Sequence, residues 1–141
     1  MTRAEVAALF ERREAAWKAG DAAALAATHT LDGVVISPTG GVLEGRDEIE
    51  RVYRVWLNAF NGVTFMPDDL LIDGDRVVQI ARLRGTHTGE FFGVAATGRT
   101  IEMTVALVMT LVDGFVAEER RIYDFTGLLV QIGVLRAKPG A

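Results

Sequence analysis

The segment that most constrains the fold is residues 100–112, in which apolar side chains alternate over the whole length. The odd-numbered positions form a wholly apolar row: Ile101, Met103, Val105, Leu107, Met109 and Leu111. The even-numbered positions form a mixed row: Thr100, Glu102, Thr104, Ala106, Val108 and Thr110. Because successive side chains of a strand point to opposite faces, this pattern predicts a β-strand with its odd row inside.

The rest of the chain places helices before the sheet. We predict helices at 2–19, 21–27 and 45–62, a short strand at 34–37, long strands at 63–72, 76–88, 100–112 and 115–123, and a closing helical segment at 125–132. Helices followed by an antiparallel meander predict an α+β domain, in which amphipathic helices cover one face of a curved sheet. Such a sheet encloses a pocket instead of a solid core. We expect one domain over residues 1–135 and a loose tail at 136–141.

Composition excludes several classes of function. A net charge of −4 argues against nucleic acid, since phosphates call for a basic face. No apolar run approaches the roughly 20 residues of a membrane span, and the charged amphipathic N-terminus does not fit a signal peptide, so we expect a cytoplasmic protein. The lack of cysteine excludes a thiol nucleophile, and the two histidines lack the spacing of a metal-binding pair. We expect any chemistry here to use carboxylates, arginine, tyrosine or His87, without a covalent intermediate.

The register of the last hairpin decides which side chains of 115–123 face inward. A two-residue loop, Asp113-Gly114, would place odd-numbered residues beside even-numbered ones. The alternative is a three-residue loop beginning at Val112, in which the glycine has a left-handed conformation and forms a bulge. This loop places odd-numbered residues beside odd-numbered ones. We prefer the second, because it gathers the polar side chains Glu102, Thr110, Glu118, Arg120 and Asp124 on the outer face.

The interior row of the final strand then carries Ala117, Glu119, Arg121 and Tyr123. A carboxylate, a guanidinium and a phenol are costly to desolvate among methionine and leucine unless they are paired. They could form a structural ion pair at a cavity rim or a subunit contact. Alternatively they orient or polarise a ligand carbonyl or enolate, with Glu119 as a possible base. If the register is wrong, they are solvated.

The remaining candidates have structural alternatives. His87, at the end of a strand, is either a hydrogen-bonded structural histidine or an acid–base group. Asp124 precedes the closing helix and is either its N-cap or an acid. Trp17, Tyr53 and Trp56 lie on the inner faces of the first and third helices and are either core aromatics or pocket wall. The middle of the apolar strand row is expected to complete that wall: Met103, Val105, Leu107 and Met109.

Two stretches resemble a known family. GTHTGEFFGVAATGRT (85–100) contains the pattern G-x-H-x-G-x-x-x-G, and LVDGFVAEERRIYDFTGLLVQIG (111–133) ends in D-x-x-G-L-L-x-Q-x-G. Both are similar to the SnoaL-like polyketide cyclase and ester cyclase family. The resemblance implies the cone-shaped fold of nuclear transport factor 2, a pocket for a hydrophobic ligand, no metal or cofactor, and a homodimer or homotetramer. It also implies that Arg121 and Leu107 replace the acid–base aspartate and the histidine of the family's aldol cyclases.

Several functions fit these features. The first is a cofactor-independent cyclase or isomerase acting on a polyketide-like ligand. In it Glu119 or Asp124 would be the base, and Arg121 with Tyr123 would stabilise an enolate. The second is a ligand carrier in which Arg121 pairs with an anionic ligand. The third is an epoxide hydrolase on the same fold, which needs an inward-facing Asp–Arg–Asp set. A structural adaptor that uses the outer face of the sheet is the fourth.

Overall fold

A computed structural model describes residues 1–136 of the chain. Its helices are α1 (Arg3–Ala19), α2 (Ala22–Ala26), α3 (Arg46–Ala59) and α4 (Phe125–Gln131), and its strands are β1 (His29–Ser37), β2 (Gly41–Glu44), β3 (Phe60–Asp73), β4 (Arg76–His87), β5 (Thr100–Val112) and β6 (Phe115–Ile122). The predicted α+β class is confirmed. The predicted tail at 136–141 lies outside the described residues, apart from Arg136.

The six strands form one curved sheet in the order β2-β1-β6-β5-β4-β3. Strands β3 to β6 form the predicted antiparallel meander. The prediction of a wholly antiparallel sheet is wrong at one place, because β1 lies parallel to β6, with Val35 opposite Glu119. Strand β2, which no pattern in the sequence indicated, pairs with β1 at the edge. The sheet is therefore mixed, and β1 extends it beyond the last hairpin.

Helix α1 begins and ends at clear capping residues. Thr2 accepts a hydrogen bond from the Glu5 N–H at 3.1 Å, and the Glu5 carboxylate accepts one from the Thr2 N–H at 2.7 Å. Gly20 ends the helix at φ 64°, in the left-handed region that glycine tolerates best. The predicted inner face is buried: Val6, Leu9, Phe10 and Arg13, with Trp17 half-buried.

Helix α3 is shorter than predicted. It ends at Ala59, and Phe60 is already the first residue of β3 instead of the last residue of the helical face. Phe60 is nonetheless fully buried, against the Trp56 ring at 5.7 Å between centroids. An apolar residue at a helix–strand junction fits both periodicities, so the pattern alone placed the boundary too late.

In the β5–β6 hairpin, odd-numbered residues pair with odd-numbered residues as predicted, but the turn differs from the predicted one. Val112 pairs with Phe115, so the loop is the two-residue Asp113-Gly114, with φ values of 51° and 83°. The register then shifts between Thr110 and Leu111, because Ala117 is an extra residue in β6. Beyond this bulge odd residues lie opposite odd ones, as predicted. Ala117 is only half-buried, and the fully buried Val116 takes the inward place that was predicted for it.

The two faces of the sheet differ as the strand patterns predicted. The odd row of β5 is buried throughout, while the outer positions Arg82, Glu102 and Arg120 are exposed. The inner face packs under the helices in two apolar clusters. One lies around α3, and the other lies beneath the first half of α1. Between residues 1 and 136, no helix has the length and apolar character needed to cross a membrane.

Candidate functional site

A cavity lies between helices α1 and α3 and the inner faces of β3 to β6. Its lining is mostly apolar, with a few polar groups: Arg13, Trp17, Tyr53, Trp56, Phe65, Leu83, Met103, Val105, Leu107, Glu119, Arg121 and Tyr123. The cavity is small, with a volume of about 50 Å³. Sites for drug-sized ligands measure roughly 300–1,000 Å³, so a polycyclic ligand would require wall side chains to move.

Most of the predicted site residues lie on this wall. The structure brings together nine of the twelve: Trp17, Tyr53, Trp56, Met103, Val105, Leu107, Glu119, Arg121 and Tyr123. Leu107 and Arg121 are directly opposite each other across β5 and β6. The two positions that the family resemblance singled out therefore face the same space.

The other three predicted residues lie elsewhere. Met109 is fully buried in the apolar cluster beneath α1 instead of lining the cavity. Asp124 is exposed, and its Oδ1 accepts the Gly127 N–H at 2.8 Å, which caps α4. His87 is fully buried at the end of β4, where its Nδ1 accepts the N–H of Thr97 at 3.2 Å. Because Nδ1 accepts this hydrogen bond, an imidazole with a single N–H carries it on Nε2.

The centre of the site is a buried carboxylate between two guanidinium groups. Glu119 is fully buried; its Oε1 accepts a hydrogen bond from Arg13 Nη2 at 3.1 Å, and its Oε2 accepts one from Arg121 Nε at 2.6 Å. The arginine side chains are 3% and 9% exposed, respectively. Burial by itself would raise the pKa of Glu119, but the charges of Arg121 and Arg13 outweigh burial and hold that pKa below its ordinary value. Glu119 is therefore an ionised carboxylate with both oxygens engaged.

His29 and Tyr53 extend this network. The Tyr53 hydroxyl lies 2.9 Å from His29 Nε2, and it accepts a hydrogen bond from Arg13 Nη2 at 3.2 Å. Burial lowers the pKa of His29 to about 3, and the charges of Arg13 and Arg121 act in the same direction, against the attraction of Glu119. His29 is therefore neutral at neutral pH, and Tyr53 can donate its proton to Nε2.

The charges of the network do not balance. Arg13 and Arg121 contribute two positive charges and Glu119 one negative charge, while His29 is neutral. The Arg121 guanidinium also lies over the Tyr53 ring, with Cζ 4.6 Å from the ring centroid. The network thus carries a net charge of one positive unit beside an apolar cavity.

Three N–H donors of cavity-lining residues have no acceptor among the described residues. They are Arg121 Nη2, Arg13 Nε and Trp17 Nε1, and all three atoms are buried. The Trp17 ring is fixed by stacking on Phe65, at 5.1 Å between centroids and 5° between planes. Buried donors of this kind normally have partners, so the set is unusual.

Tyr123 lies on the same wall with its hydroxyl already engaged. That hydroxyl is 2.6 Å from Thr39 Oγ1 and 3.3 Å from Ser37 Oγ, at the end of β1. Its ring packs edge-on against Trp56 at 5.6 Å. Because hydroxyl groups both donate and accept, Tyr123 can still present a proton or a lone pair to a ligand.

Sequence reasoning missed two members of the network. Arg13 lies in the predicted helix 2–19 but was not assigned a role, and His29 was considered only as a metal ligand. A basic residue at a buried helical position was the available signal for Arg13, since a buried charge needs a partner. Within residues 1–136, no group of three His, Asp or Glu side chains is arranged to hold a metal ion.

Comparison with known proteins places this geometry in context. The sequence model of the SnoaL-like polyketide cyclase family matches residues 7–132. No curated protein matches the chain significantly.

Solved structures with this fold include two from Streptomyces. AclR of Streptomyces galilaeus, a suggested hydroxylase, is 27% identical with a TM-score of 0.84, over 99% of this chain and 87% of that one. IdmH of Streptomyces antibioticus, a suggested polyketide cyclase, is 28% identical with a TM-score of 0.74, over 90% and 97%. A SnoaL-like protein of Jannaschia sp. CCS1, at 24% identity, shares the fold with a TM-score of 0.84 over 94% of both chains.

Proposed function

Because this chain belongs to the SnoaL-like polyketide cyclase family, we propose that it is a cofactor-independent enzyme that cyclises or isomerises a hydrophobic small molecule in the cavity. The observation that carries this proposal is the Arg121 guanidinium, which lies on an apolar wall with Nη2 unpaired among the described residues. A fixed donor in a site poor in water stabilises charge that develops on a ligand oxygen.

The proposed chemistry is the ring closure of a 1,3-dicarbonyl compound. Arg121 donates to the carbonyl oxygen while the acidic α-proton passes to water and so to bulk solvent, and the negative charge of the enolate develops beside a fixed positive charge. The enolate carbon then attacks a second carbonyl group of the same ligand, and the new alkoxide takes a proton. Tyr53 and Tyr123 are the lining residues with hydroxyl groups that can exchange that proton.

Glu119 has a positioning role in this scheme instead of the role of a base. A base needs a pKa near the working pH. Glu119 has a lowered pKa, and both of its oxygens accept hydrogen bonds from arginine. It therefore fixes Arg121 in one orientation. Asp124, exposed and capping α4, has no direct part.

Turnover of a model substrate tests this proposal. The substrate is an aryl β-keto ester with a pendant ketone, whose aldol ring closure is followed by absorbance. We expect Arg121→Gln to lower kcat about 10²–10³-fold, as for other single oxyanion donors. The matched control is Arg120→Gln, the neighbouring residue on the outer face of β6, which should keep full turnover.

The same assay separates the roles of the carboxylates. Asp124→Asn should keep turnover, because asparagine is an equally good N-cap. Full turnover in Arg121→Gln would refute the proposed chemistry. A profile of kcat against pH that loses activity upon protonation of a group with an ordinary carboxylate pKa would contradict the positioning role of Glu119.

A ligand carrier is the second candidate. One observation favours it: among the described residues that line the cavity, Glu119 is the only carboxylate, and each of its oxygens accepts a hydrogen bond from an arginine. A carrier would retain a bound ligand unchanged, so that mass spectrometry of the incubated mixture distinguishes it from an enzyme. The epoxide hydrolase alternative is not favoured, because no aspartate lines the cavity in the part of the chain that the structure describes. A homodimer or homotetramer and a cytoplasmic location stay predictions.

A further inference from the structure

We infer that the cavity selects a monoanionic ligand, in which an acidic oxygen group such as a carboxylate, enolate or phenolate is attached to an apolar body. This inference rests on the proposed function in one respect: it assumes that the ligand binds in the same cavity. It adds the charge and the chemical class of the ligand.

The first argument is the charge of the buried network. Two guanidinium groups share one carboxylate, and the neighbouring imidazole is neutral, so one positive charge is uncompensated. A buried charge without a counter-charge is costly. One negative charge on a ligand would balance the network, while a neutral ligand would leave the cost in place and a cation would add to it.

The second argument is the position of the unpaired donors. Arg121 Nη2 belongs to a side chain that is only 9% exposed, and its Nε is already held by Glu119. Trp17 Nε1 offers a second donor on the same wall. Tryptophan and arginine only donate hydrogen bonds, so these two groups require acceptors. An ionised oxygen acid is the strongest acceptor that a small organic ligand offers.

The third argument is the apolar remainder of the wall. Leu83, Met103, Val105, Leu107 and the aromatic rings surround the polar end and can bury a hydrophobic body. Simple inorganic anions lack such a body. The free space of about 50 Å³ suits a small aromatic acid better than a polycyclic one.

Tryptophan fluorescence offers a direct test. Both tryptophans of the chain, Trp17 and Trp56, line the cavity, so a ligand bound there should change their emission. Benzoate and benzamide are titrated into the full chain at pH 7; they have similar shapes but differ in charge. We expect benzoate to bind with a Kd at least ten-fold lower than that of benzamide.

Matched variants assign the preference to the site. Arg121→Gln should abolish the preference while benzamide still binds, and Arg120→Gln, on the outer face of the same strand, should retain it. If Arg121→Gln fails to fold, Trp17→Phe replaces it. This variant keeps a ring to stack on Phe65 and loses the indole N–H. It should weaken the binding of benzoate at least three-fold and that of benzamide by a smaller factor, with Trp56 as the reporter.

Each outcome decides the inference. Equal affinities, no saturable signal from either probe, or a preference that survives in Arg121→Gln or is lost equally in Arg120→Gln would overturn it. The result is independent of turnover. A protein that prefers benzoate but cyclises nothing supports the anion site and refutes the enzyme, whereas turnover without any anion preference does the reverse.

Discussion

The substitution Glu119→Gln removes the negative charge that lies between two buried guanidinium groups. Glutamine has nearly the same shape, and its amide oxygen can still accept from one arginine. Its NH₂ group, however, faces the other arginine donor. The variant therefore tests whether the Arg13–Glu119–Arg121 network depends on charge and not merely on packing.

The magnitude follows from the geometry. With an effective dielectric of about 20, each ion contact is worth on the order of 4 kcal/mol before desolvation, or about 8 kcal/mol for the two contacts. The desolvation penalty of the carboxylate, several kcal/mol, is absent in the variant and offsets part of this loss. We expect unfolding to cost about 3–5 kcal/mol less, as measured for other broken buried pairs. For a domain of this size, that corresponds to a Tm about 10–15 °C lower.

Urea unfolding followed by tryptophan fluorescence measures the loss. The matched control is Glu118→Gln, which makes the same chemical change on the exposed face of the same strand and should change the free energy of unfolding by less than about 0.5 kcal/mol. If Glu119→Gln were as stable as Glu118→Gln, the buried network would contribute nothing, and the reasoning about its charge would be refuted.

Two further predictions concern stability. His29 has a pKa near 3 when folded and near 6.5 when unfolded, so the unfolded chain binds more protons between these values and the free energy of unfolding falls as the pH drops. Between pH 7 and pH 5 the free energy of unfolding should fall by about 2 kcal/mol because of His29. Urea unfolding should show that most of this fall is absent in His29→Gln. If the free energy of unfolding depended on pH equally in both proteins, the prediction would be contradicted. Gly89→Ala would place a Cβ in steric overlap with the backbone oxygen of Asn58, so we expect thermal unfolding to show a loss of about 1–3 kcal/mol in the free energy of unfolding. Gly40→Ala is the control, because its Cβ meets only the Leu43 side chain, at 3.5 Å, and an equal loss in both variants would refute the steric argument.

Periodicity predicted the sheet better than the site. Strand β5 has the predicted bounds, and its odd row is buried, because a two-residue period is a local property that the sequence displays directly. The same period also predicted that three side chains of the last strand point inward, once odd-numbered residues of the two strands were paired: Glu119, Arg121 and Tyr123. The three-residue loop that was expected to produce this pairing was wrong, since the extra residue lies at Ala117 and not in the turn.

What periodicity could not supply was the set of partners. Arg13 and Glu119 are 106 positions apart, and a helical period shows only that Arg13 is buried, not what it contacts. The parallel pairing of β1 with β6 and the contact of His29 with Tyr53 are equally remote in sequence. Such contacts form when distant segments come together in the folded sheet, and no local sequence pattern indicates them.

The bulge at Ala117 determines the chemistry of the interior. Strand β6 contains two interleaved acid–base pairs, Glu118 with Arg120 and Glu119 with Arg121. Either pair could have faced inward, because each has one acid and one arginine at the same separation. One inserted residue sets the phase of the strand and so selects which pair is withdrawn from water. A deletion of Ala117, or an insertion beside it, during evolution would exchange the two pairs at a single step, replacing the interior charges while leaving the composition of the strand almost unchanged.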